Sequence, residues 1–76
     1  MKDFVLYIAR ALAEHPQDIR VTEIRGQQTS ILELHPSPKD VGRLIGRSGK
    51  TIGALRTLLS NLAAKEKRRA VLEVAE

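Results

Sequence analysis

LIGRSGKTIG, residues 44–53, lies in the middle of a basic chain of 76 residues, and its reading decides the rest. Gly49, Lys50 and Thr51 resemble the end of a nucleotide-binding P-loop. That motif, Gly-x-x-x-x-Gly-Lys-Thr, requires its first glycine at position 44, which is Leu44 here. Gly46 stands too close to Gly49 for the loop to wrap a polyphosphate. The segment before it has helical spacing where a P-loop follows a strand, and no partner strand offers an acid for magnesium. The P-loop reading fails.

Two glycines three apart serve a different purpose. They let the backbone reverse between Ile45 and Lys50 and approach a ligand closely. A helix starting at Lys50 would open with free N–H groups and a positive dipole end, a natural seat for a phosphate. Arg47 stands at the tip, and Ser48 and Lys50 add donors. Alone, this spacing also fits an ordinary glycine-capped helix turn. Charge sets it apart. Between Lys39 and Arg56 lie five basic residues (Lys39, Arg43, Arg47, Lys50, Arg56) and one acid, Asp40, while the rest of the chain carries eight of each. The net charge of +4 is concentrated around the loop and implies an anionic partner.

The flanks supply the fold. Downstream, a helix is expected from Lys50 to Lys65, with Ile52, Leu55, Leu58, Leu59, Leu62 and Ala63 on one side. RAVLEVAE then alternates Ala70, Leu72 and Val74 against Val71, Glu73 and Ala75, as a strand does. Upstream, Ser37 as N-cap, Pro38 at the first helical position and Asp40 as a capping-box acid start a short helix with Val41, Leu44 and Ile45 as its apolar stripe. Further back, Ile19 and Val21 alternate, Gly26 turns the chain, and Leu32 and Leu34 alternate again, which is a β-hairpin. Ile24 falls out of phase, so a bulge or an outward-facing apolar residue is expected there. Asp3 can cap a first helix bearing Phe4, Ile8, Ala11 and Leu12, ended near Pro16. The order is α-β-β-α-α-β in one domain, residues 1–76. The half-apolar strands require an α+β fold, with helices covering one face of a three-stranded sheet.

Composition removes other functions. Without cysteine there is no disulfide, thiolate metal site or thiol chemistry. No run reads as a signal peptide or membrane span, and a cytoplasmic protein without membrane insertion is the expectation. His15 and His35 each precede a proline and lack ligand-spaced partners, so they read as exposed boundary residues. Ser48 and Thr51 have no His–acid pair to activate them. No enzymatic activity, metal or cofactor is expected. KEKRR, residues 65–69, reads as a helix C-terminus answering its own dipole rather than as a second phosphate contact. The overlapping spacings of Gly42, Gly46, Gly49 and Gly53 suggest close helix–strand packing.

VGRLIGRSGKTIGALRTLL, residues 41–59, resembles the core of KH domains, whose signature is an aliphatic-Ile-Gly-x-x-Gly-x-x-Ile run across two helices. Leu44, Ile45, Gly46, Gly49 and Ile52 match it position by position. The element order resembles the type II form, with a mixed three-stranded sheet, and the chain as a whole resembles the small stand-alone KH proteins of bacteria. The resemblance implies single-stranded RNA binding, with Gly46, Arg47, Ser48, Gly49 and Lys50 clamping the backbone of about four nucleotides. Arg43 and Ile45 stand beside them, and bases would lie in an aliphatic groove. The aromatic content agrees, since Phe4 and Tyr7 are the only aromatic residues and offer no stacking platform near the loop. The rival is a protein-interaction module, which the resemblance supports through a homodimer or a complex with a larger, Jag-type KH protein. Ile24, Ile31 and Val71, or Ala54 and Leu58, would form its surface. A helix-hairpin-helix grip on duplex DNA is a further alternative, but its glycines normally stand two apart and it needs no sheet.

Overall fold

A computed structural model describes residues 1–75. The elements follow the expected order: α1 (Lys2–Leu12), β1 (Arg20–Arg25), β2 (Thr29–His35), α2 (Val41–Ile45), α3 (Lys50–Lys65) and β3 (Arg69–Val74). Single 3-10 turns at Pro16–Asp18, Pro38–Asp40 and Arg47–Gly49 lead into β1, α2 and α3. β1 and β2 pair antiparallel, and β2 and β3 pair parallel, giving a mixed sheet in the order β1-β2-β3.

Alternation in the strands fixes which face is covered. Val21, Leu32, Leu34 and Leu72 point to the helices and are buried, joined by Ile19 just ahead of β1. From above, Val5, Ala9, Leu44, Ile52, Leu55 and Leu59 close the core. Burying a leucine of this kind contributes about 2 kcal/mol. Ile24 is not part of a bulge, because register is continuous from Arg20↔His35 to Arg25↔Ser30. It faces outward, 61% exposed, in a cross-strand row with Ile31 and Val71 on the open face of the sheet.

Several expectations are corrected. In α1 the fully buried residues are Val5 and Ala9; Phe4 and Ile8 pack against the core as expected, whereas Ala11 and Leu12 are exposed. Asp3 lies inside the helix rather than capping it, and Met1 occupies the N-cap without a side-chain bond. Leu58 and Leu62 of α3 are 50% and 37% exposed. The eleven-residue α1 covers that flank of α3 incompletely, leaving a shallow open groove lined by Ile8, Leu12, Ala54, Leu55 and Leu58. A Cβ on Gly42, Gly49 or Gly53 would meet nothing within 4 Å, so these glycines do not mark close packing.

Two long-range ties hold the connections. Ser37 does cap its turn, accepting from the Lys39 amide at 3.3 Å. Asp40, however, forms no capping box. Its carboxylate is buried and accepts from the amides of Glu14 at 3.1 Å and His15 at 2.9 Å, fastening the end of α1 to the start of α2. Arg68 forms the other tie, donating to the carbonyls of Gln27 and Gly26 and to the Ser30 hydroxyl. It locks the α3–β3 connection onto the β1–β2 turn. His15 and His35 are half-buried rather than exposed, and His35 Nε2 lies 3.3 Å from Thr22 Oγ1.

Candidate nucleic-acid interface

The loop between α2 and α3 is built from left-handed backbone. α2 ends where the Gly46 amide donates to the Gly42 carbonyl at 2.9 Å, and Gly46 then adopts φ 80°, ψ 171°. Almost no residue but glycine visits that region. Space agrees with conformation. A Cβ on Gly46 would stand 2.3 Å from Thr51 Oγ1 and 2.8 Å from the Thr51 amide nitrogen. Thr51, which the sequence offers only as an echo of a P-loop, therefore packs against the turn and sets its closeness to α3. Ser48 (φ 56°) and Gly49 (φ 73°) follow in succession, both left-handed. For Ser48 this costs about 1–2 kcal/mol, which the surrounding turn must offset.

The result is a protruding tip. Arg47, Ser48 and Lys50 are exposed, Gly46 and Gly49 half-buried beneath them. One expectation narrows here. The amides of Gly49 and Lys50 are not free, because they donate to the carbonyls of Gly46 and Arg47 inside the turn. The cationic side chains and the dipole of α3 thus carry more of the loop's attraction for anions than its amides do. Among the described residues, neither Arg47 nor Lys50 is in an ion pair.

Arg43 differs. Its guanidinium donates to Glu14, and its Nε lies 3.9 Å from Asp40. The structure thus turns this charge towards α1 rather than bringing it to the loop tip. Burial by itself raises the pKa of Asp40. The Glu14 and His15 amides, with the nearby His15 and Arg43, outweigh that and hold it below its ordinary value. Ile45 is half-buried and packs against the core cluster at the foot of the loop. Beyond the loop, Gly53 and Arg56 continue along α3 beside β3. Arg56 Nε donates to the Leu72 carbonyl at 3.0 Å. Near the start of α2, Val41, Pro36, Pro38, His35, Arg20 and Ala75 line a second concavity. No group of His, Cys, Asp or Glu suited to a metal ion occurs among the described residues, and no helix there is long and apolar enough to cross a membrane.

With this geometry in view, comparison with known proteins is informative. Residues 2–74 match the family described as KhpA/KhpB, KH domain. The chain is 41% identical over 76 residues to the RNA-binding protein KhpA of Chlamydia pneumoniae, covering all of this chain and 97% of that protein. It is 40% identical over 74 residues to the protein of the same name from Clostridium perfringens, covering 97% and 99%. A third relative, RNA-binding protein KhpA of Aquifex aeolicus, is 40% identical over 76 residues, 100% of this chain and 96% of that one. No solved structure matches the chain.

Proposed function

The chain belongs to the KhpA/KhpB KH-domain family, and from that premise we propose that it binds single-stranded RNA in the cytoplasm as a non-enzymatic protein. The strand's phosphates pass over the GRSG tip, where Arg47, Ser48 and Lys50 attract them. Gly46 and Gly49 allow the close backbone approach, and Ile45 supports the foot of the loop. Bases lie along the small and aliphatic surface beside α2 and α3. The observation that carries this reading is the left-handed tip itself: at the N-terminal end of a sixteen-residue helix it presents cations that form no ion pair among the described residues. Relatives across the full chain length bear the name RNA-binding protein, which favours RNA over the protein-interaction module.

Fluorescence anisotropy with labelled single-stranded RNA, single-stranded DNA and duplex DNA of equal length tests it. Single-stranded RNA should bind most tightly. Two or three neutralised phosphates should give a log–log salt slope of about −1.5 to −2, at roughly −0.7 per phosphate on a single strand. A preference for duplex DNA, or a flat salt response, overturns the proposal.

A further inference from the structure

The cations around the GRSG loop are held to different degrees. Arg47 and Lys50 are exposed and form no ion pair among the described residues. Arg56 is tied to the Leu72 carbonyl. Arg43 is the intermediate case. It lies in the last turn of α2, where the Gly46 amide bonds to the Gly42 carbonyl. Roughly 4.5 Å of helix axis separates it from the first loop glycine. An extended arginine spans that distance, yet the side chain turns the other way and its guanidinium donates to Glu14.

This pair is not what holds α1 to α2. Asp40 already does so through the amides of Glu14 and His15. Both of its carboxylate oxygens are engaged there, and at 3.9 Å from Arg43 Nε it adds attraction without a hydrogen bond. The grip on Arg43 thus rests on one carboxylate. The two side chains are 50% and 63% exposed, and an ion pair so open to water adds little stability. Arg68 makes the contrast, with two carbonyls and a buried hydroxyl as its acceptors. What the Arg43 pair does is electrostatic. It neutralises the base one turn below the tip, and the bond from the Glu14 amide to Asp40 keeps the opposing carboxylate beside α2. A phosphodiester offers a guanidinium the same paired oxygens as a carboxylate. RNA and Glu14 therefore compete for one group.

We propose that Glu14 restrains RNA binding by withholding Arg43 from a strand that crosses the GRSG loop and continues along α2. The inference rests on reading that loop as an RNA site. It makes a residue just past the end of α1 a determinant of RNA affinity.

A double-mutant cycle tests it. Anisotropy with a short single-stranded RNA is measured on the parent, Glu14→Gln, Arg43→Gln and the double variant, with thermal unfolding confirming that each is folded. Glu14→Gln keeps the backbone amide that Asp40 holds. It should bind RNA about fourfold more tightly than the parent. Its log–log salt slope should steepen by about 0.7, as one more neutralised phosphate implies. On the Arg43→Gln background the same substitution should change affinity by less than about 1.5-fold, because the group it would release is gone. A gain of equal size on both backgrounds overturns the restraint and marks Glu14 as diffuse charge. An unchanged affinity of Glu14→Gln overturns it too. Arg47→Asp with Ser48→Asp, measured alongside, keeps the two readings apart. If that variant binds RNA like the parent, the loop reading falls whatever the cycle gives. If it loses binding while the cycle shows no coupling, only the restraint falls. Absence of RNA binding by parent and variants alike overturns both.

Discussion

At the N-terminal end of α3 the chain turns through Gly46–Gly49. At the C-terminal end it turns through Glu66–Arg68, and both turns contain arginine and left-handed residues. Their side chains go opposite ways. At the first, Arg47 and Lys50 project into solvent without ion pairs among the described residues. At the second, Arg68 folds inward onto Gly26, Gln27 and Ser30. Its amide and that of Lys67 close the helix by bonding to Ala63 and Ala64. That is a Schellman closure with lysine where glycine is usual. Basic residues at a helix end therefore say little until their partners are known. The charge that is bonded holds the fold, and the charge left unbonded is available to a ligand.

Glycine substitutions should break this contrast most severely. Gly46→Ala combines a backbone region nearly closed to other residues with a Cβ 2.3 Å from Thr51 Oγ1. It should cost about 3 kcal/mol or more in chemical denaturation. Gly49→Ala is the counterpart, since its Cβ meets open space and only φ 73° is unfavourable. About 1 kcal/mol is expected there. Equal costs would mean that Thr51 does not set the loop's shape.

Arg68→Ala comes next, at about 2 kcal/mol, chiefly because the fully buried Ser30 loses the guanidinium partner it has. RNA affinity of the folded fraction should stay within twofold. Arg68→Lys should recover only part of the stability, because an ammonium cannot fork between two carbonyls.

Asp40 supplies a pH-dependent version of the same lesson. Its folded pKa lies below the ordinary value of 3.8, so the unfolded chain takes up that proton first. Its stabilising contribution is complete above 3.8 and is lost as pH falls through the lower folded value. Denaturation midpoints measured from pH 6 down to pH 2 should fall less steeply for Asp40→Asn than for the parent. Parallel curves would contradict the role given to the Glu14 and His15 amides.

What the sequence made legible was local. The glycine spacing, the Lys50–Lys65 span of α3 and the alternation of Leu32, Leu34 and Leu72 each follow from neighbours within a turn or two. The misses share a physical cause. Asp40 reaches residues 25 and 26 positions away, Arg43 reaches Glu14 at 29, and Arg68 reaches residues 38 to 42 positions away. Nothing in local propensity distinguishes a capping acid from one recruited by another element. The phase of α1 is only partly legible for a related reason: Phe4 and Ile8 do pack against the core, but Val5 and Ala9 are the residues buried there. Its apolar residues cover more of the circumference than the sheet can bury, so packing against β1 selected Val5 and Ala9. In the loop, the motif was plain, but the pairing of Arg43 and the contact of Thr51 with Gly46 required the folded backbone.

The central claim is that the exposed Arg47 and Ser48 side chains of the GRSG tip bind RNA without contributing to the fold, and one double substitution tests it. Arg47→Asp with Ser48→Asp places two negative charges where the phosphates should pass and leaves Gly46, Gly49, Ile45 and Ile52 intact. Aspartate tolerates the left-handed backbone of Ser48, and exposed substitutions of this kind change stability by less than about 0.5 kcal/mol. Thermal unfolding and RNA anisotropy are measured on one preparation. The account predicts a Tm within about four degrees of the parent's and loss of RNA binding by at least tenfold. A folded double variant that binds RNA as tightly as the parent would contradict it and reduce GRSG to a turn.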